Sequence, residues 1–106
     1  MFDVFLKELN DNGGSVRAYD AVARAARARI ATEPQNAAAL LLISAAAQQF
    51  VDAYDDQPLT SDAATEELSR FSALVTSLDT AFTSGSFENQ LKALNEVATV
   101  LVNHRA

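Results

Sequence analysis

The sequence predicts an all-α protein, an antiparallel four-helix up-and-down bundle with a short extra N-terminal helix. Apolar residues recur at three- and four-residue spacing along most of the chain, which places them on single helix faces. Gly, Pro and short polar clusters interrupt that spacing, and connections this short favour antiparallel neighbours. No alternating run signals a strand.

The first helix is expected over 2–11, with Phe2, Phe5, Leu6 and Leu9 on one face. Asn12-Gly13-Gly14 ends it, because glycine adopts the left-handed stop that other residues resist. A second helix, over 15–31, carries Tyr19, Val22, Ala26 and Ile30 as its stripe, with Arg17, Arg24 and Arg27 to one side. Thr32-Glu33-Pro34-Gln35 then punctuates the chain. Pro34 suits a first turn, and Thr32 with Gln35 has the spacing of a capping box.

The third helix, over 35–54, places Leu40, Ile43, Ala47, Phe50 and Tyr54 on one face, widened by Leu42, Ala46 and Ala53. It reads as the central helix. After the loop Asp55-Asp56-Gln57-Pro58, Ser61 or Asp62 can cap a fourth helix over 61–83. Its core face is Leu68, Phe71, Val75, Leu78 and Phe82, and its other face is small and polar, from Ser69 to Thr80. Ser84-Gly85-Ser86 leads to a fifth helix over 87–103, with Phe87, Leu91, Leu94, Ala98 and Leu101 as its stripe. The segment from Tyr19 to Phe50 also fits the Tyr…Pro-x-Asn-Ala register of a tetratricopeptide helix pair. Only one such unit is present, and that architecture needs about three repeats.

A length of 106 residues fits one domain, 1–106, in which residues 1–14 stand as an arm or a fifth element. Much of the 49% hydrophobic content is alanine, so the core is expected to be thin. A net charge of -6 argues against nucleic acid and against an anionic membrane surface. The charge is unevenly placed. Residues 15–31 hold Arg17, Arg24, Arg27 and Arg29 against Asp20, whereas residues 52–67 hold six acids and no base. There is no cysteine, hence no disulfide or thiol chemistry. The opening residues lack the pattern of a signal peptide, and the apolar run Ala37 to Ala47 is too short to span a bilayer. A cytoplasmic location is expected.

Little in the chain points to chemistry. Nucleophilic catalysis needs an activated Ser, Cys or Thr beside a base. The single histidine, His104, stands near the end of the sequence without a triad or zinc partner, and is expected to be dispensable. Asp52, Asp55 and Asp56 can share a helix face, but calcium requires six or more oxygens and no EF-hand pattern is present. Gly13-Gly14 lacks the spacing of a phosphate loop. Neither a cofactor nor a metal is implied, and no enzymatic activity is expected.

Two features suit protein binding. The row Arg17, Arg24 and Arg27 can receive an acidic partner, face the chain's own acidic segment, or face water. Ala93, Val97 and Val100 lie outside the main stripe of the fifth helix, and Leu41 lies opposite the core face of the third. They either complete a fuller core or line a groove for a partner's amphipathic helix.

Arg17-Ala18-Tyr19 leading into an Arg- and Ala-rich helix resembles the start of the flagellar regulator family FlaF. Glu33-Pro34-Gln35-Asn36 leading into Ala38 to Leu42 and Ala45 to Ala47 is similar too, as is the ending from Asn95 to Arg105. That family's Leu-Trp pair has no counterpart, since Phe71 to Val75 stands there. The same layout looks like FliS-type flagellin chaperones. The resemblance implies a cytoplasmic helical protein that handles flagellin before export or controls its synthesis. The expected function is therefore a small acidic chaperone or regulator, monomeric or homodimeric, that binds a helical segment of a partner such as flagellin. The alternative is an inhibitor or immunity-type protein that binds a folded basic partner through residues 52–67.

Overall fold

The computed structural model describes residues 1–103, which form five α-helices and contain no strand. They are α1 (Asp3–Asp11), α2 (Val16–Arg29), α3 (Ala37–Tyr54), α4 (Ser61–Ser84) and α5 (Phe87–Asn103), with a 3-10 turn at Pro34–Asn36 leading into α3. The all-α expectation holds, and each helix lies within two residues of its expected bounds.

The stops work largely as the sequence suggests, whereas two caps differ. Gly13 and Gly14 both take positive φ, 71° and 62°, and the Gly14 amide donates to the Leu9 carbonyl to close α1. Ser15 caps α2 by accepting from the Ala18 amide. Thr60, rather than Ser61 or Asp62, caps α4, since its hydroxyl accepts from the Ala63 amide. The Thr32–Gln35 capping box does not form. Thr32 instead donates back to the Arg29 carbonyl, and Pro34 starts the 3-10 turn with no side-chain cap.

The closest pairing is α2 with α3. Ala23 and Ala26 on α2 and Ala39, Ala46 and Ala47 on α3 are all buried. Small side chains let two helix axes approach, so that other contacts become backbone-close. Buried Ser44 uses that proximity and donates from Oγ to the Ala23 carbonyl at 2.8 Å. At the far end of the same seam, Tyr19 stacks on Phe50 with ring centroids 3.8 Å apart. The edge of the Phe71 ring from α4 closes on Tyr19 at 5.5 Å.

The N-terminal segment is packed into the body of the molecule. Phe2, Phe5 and Leu9 are buried, Phe2 meets Phe82, and the Phe2 amide donates to Asp79 on α4. Arg29 fixes this corner. Its guanidinium lies over the rings of Phe2 and Phe5, at 5.8 and 5.3 Å. It also forms a two-pronged ion pair with Glu33, at 2.7 and 2.9 Å. Donation from Arg29 holds the Glu33 carboxyl below its ordinary pKa. In a closed ring of the last four helices α5 would return to α2. Here α5 packs on α3 and α4, while α1 stands against both α2 and α4.

The helical stretch Pro34–Tyr54 is longer than the apolar run seen in the sequence, and by length and composition it could cross a membrane. One face of it, with Leu40, Ile43, Ala47 and Phe50, is buried against the other helices.

The Ser44 contact gives a direct test. Ser44→Ala, which leaves the Ala23 carbonyl without this donor, should cost about 1 kcal/mol. Ser44→Leu, which forces α2 and α3 apart, should cost about 1–3 kcal/mol, read as a lower urea midpoint.

Candidate functional site

The fifth helix carries two apolar rows, and the structure divides them differently from the expectation: Leu101 of the expected stripe is buried and Leu94 packs against the core, whereas Phe87 and Leu91 turn outward. Ala93, Val97 and Leu101 form the buried row, with Val97 only 2% exposed. Phe87 and Leu91, expected in the core, are 88% and 59% exposed. A Cβ at Gly85 would stand 2.5 Å from the Ala81 carbonyl oxygen, so the tight α4–α5 turn requires glycine. The small face of α4, including Ser69, Ala73, Thr76 and Ser77, borders an open groove against Ala93 and Lys92 of α5.

Of the residues proposed to bind a partner, Ala93 and Val97 therefore belong to the core of the free chain. Val100 and Leu41 are exposed, but on different helices. The outward apolar side chains of α5 are Phe87, Leu91 and Val102 on one side of the helix and Val100 on the other, with Glu88, Lys92 and Glu96 between them. Sequence reasoning missed Phe87 and Leu91 as surface residues because they are the larger members of a regular stripe.

Arg17, Arg24 and Arg27 are exposed on α2. Arg24 pairs with Asp20 on its own helix at 3.1 Å. Among the described residues no ion pair joins this row to the acidic segment. Within that segment Asp52 accepts from Gln48, while Glu66 and Glu67 meet Arg70 one turn further along α4. No three potential metal ligands come together among the described residues. His104 lies outside them.

One feature went unnoticed in the sequence. A cavity of about 490 Å³ opens where α2, α3, α4 and α5 meet. Its walls include Tyr19, Phe50, Tyr54, Phe71 and Leu74, and its polar groups include Gln49, Glu67 and Arg70. Tyr19 is buried, and its hydroxyl has no hydrogen-bond partner among the described residues. Burial, reinforced by the charge of Glu67, pushes this phenol up to about 12. The group is thus a neutral donor throughout the physiological range. Gln49 is engaged elsewhere, donating to the Leu101 carbonyl at 2.8 Å and so tying α5 to α3.

No protein-family model, curated protein or solved structure matches this chain.

Two predictions follow from this geometry. Removing the unpartnered hydroxyl by Tyr19→Phe should raise stability by about 1 kcal/mol at neutral pH. The unfolded chain releases this proton near its ordinary value of 10.0, whereas the folded one holds it to about 12. The unaltered protein should therefore lose stability as pH rises through that window, and Tyr19→Phe should remove this part of the loss. Urea melts at a series of pH values measure both effects.

The inward and outward residues of α5 should also separate cleanly. Val97→Asp places a carboxylate in the core and should cost about 3 kcal/mol or more. Leu91→Asp should stay within about 0.5 kcal/mol of the parent in the same melts.

Proposed function

We propose that this protein is a non-enzymatic interaction module, a small chaperone or regulator that holds an amphipathic helical segment of another protein against the outer face of α5. The observation that carries this reading is the exposed apolar side chains Phe87, Leu91 and Val102, which share one side of α5 next to a separate buried row on the same helix. Large apolar side chains grouped on one exposed helix face are the usual mark of a docking surface. Burying them releases about 25 cal/mol per Å² of apolar area before ordering costs. A target that is disordered when free would spend part of that gain on folding, which keeps the complex reversible.

By resemblance to FlaF and FliS-type proteins, the proposed target is a terminal helix of flagellin, met in the cytoplasm. The antiparallel up-and-down order of α2 to α5, favoured by their short connections, belongs to the same reading.

A terminal-helix peptide of flagellin, titrated by calorimetry, tests the proposal. Leu91→Asp should weaken capture at least about tenfold, as the loss of a buried apolar anchor does. The circular dichroism spectrum should stay unchanged. Equal binding by Leu91→Asp and the parent would remove α5 as the docking face. Loss of binding on neutralising Asp55 and Asp56, with steep salt dependence, would favour an inhibitor acting through residues 52–67.

A further inference from the structure

The outward row of α5 is complementary to itself. Phe87, Leu91, Leu94, Ala98 and Val102 follow one another in steps of three and four, which keeps them on one side of the helix. Phe87, Leu91 and Val102 are exposed, and Leu94 and Ala98 are half-buried beside them. Asn95, also exposed, stands next to Leu94 in the middle of the row.

The spacing of this row fits a two-fold contact. Phe87, Leu91 and Leu94 are placed before its midpoint as Val102, Ala98 and Asn95 are placed after it. A two-fold contact requires such symmetry, because each residue must meet its opposite number in both directions. Laid antiparallel on a second α5, Phe87 comes opposite Val102, Leu91 opposite Ala98, and Leu94 opposite Asn95. Size agrees with spacing. The larger side chains, Phe87 and Leu91, fall in the first half of the row and the smaller ones in the second, so each outer step sets large against small. A parallel order would set Phe87 against Phe87 and Ala98 against Ala98, a clash beside a gap.

Charge favours the same order. The chain carries a net charge of -6, yet within α5 the charged residues are only Glu88, Lys92 and Glu96. Antiparallel pairing holds the two copies of Glu88 roughly 20 Å apart along the axis, each near Thr99 of the other copy, whereas parallel pairing would set them side by side. One pair of 17-residue helices stays near or below the roughly 1,200 Å² at which stable interfaces begin. The contact is therefore weak and open to exchange.

We infer that two copies of this chain associate through α5, antiparallel about a two-fold axis between Leu94 and Asn95, and that this weak dimer covers the face otherwise offered to a target helix. Only the second half of this statement, competition with a target, rests on the proposed docking function.

Sedimentation equilibrium of the full chain, from about 1 µM to about 1 mM, should give a mean mass that climbs from 11.3 kDa toward twice that value. Leu91→Asp and Phe87→Ser, both at exposed residues, should hold the mass at that of one chain with an unchanged circular dichroism spectrum. The chain has no cysteine, so single cysteines report the register. A Leu91→Cys chain mixed with an Ala98→Cys chain should oxidise to the mixed disulfide in preference to either with itself. A parent chain that stays single at the highest concentration would overturn the inference. So would a dimer that survives both Leu91→Asp and Phe87→Ser, or self-disulfides that outrun the mixed one. The flagellin terminal-helix peptide separates the two readings. A single chain that binds it overturns the dimer alone, whereas a dimer sensitive to Leu91→Asp that does not bind it supports the dimer and overturns the docking function.

Discussion

The close approach of α2 to α3 is the constraint on which the rest of this fold depends. Alanines make it available, since a row of methyl groups lets two helices pack with their backbones near each other. Ser44 then converts proximity into a directed contact with the Ala23 carbonyl. A larger side chain at either residue would separate the pair. Separation would also break the Tyr19–Phe50 stack, because both rings stand on the same seam. A chain with few large core residues is thus held by a small number of close contacts rather than by bulk.

The other helices are arranged around that pair by unlike means. At one end Arg29 gathers α1, using the faces of two phenylalanine rings and a carboxylate from the following turn. Lysine could not reproduce this, since only a planar fork can lie over rings and still pair in two prongs. At the other end α5 is held by two small residues, one leucine and the Gln49 bond to the Leu101 carbonyl. Its inward face is thin, and α4 offers it a small, polar surface.

Helix existence and extent were legible in the sequence because they follow from local signals. Gly13-Gly14, Pro34 and the three-four spacing each act within a few residues. The cap at Thr60 was harder, since Thr60, Ser61 and Asp62 compete for the same amides and the turn geometry decides among them. The face of α5 was misread for a different reason. Periodicity shows that Phe87, Leu91, Leu94 and Leu101 share a side, but not which of them reach the core, and only Leu94 and Leu101 do. That depends on how α5 packs against its neighbours, which is a property of a pair of helices. Ala93 and Val97 of the second row turn inward, while Val100 stays exposed. The solitary hydroxyl of Tyr19 left no trace in the sequence, because a tyrosine on an apolar stripe looks the same whether or not its oxygen finds a partner.

The cavity and the outer face of α5 meet at one residue. Val100 borders both the cavity and the outer face of α5. A helix fixed by so little buried volume is the element whose position a ligand can most readily bias, since few contacts oppose a small shift. Any movement of α5 that reshapes the cavity must carry Val100 with it, and Val100 in turn forms part of the surface offered outside. The Gln49 bond to the Leu101 carbonyl, directly beside Val100, is the contact that any such shift would have to exchange.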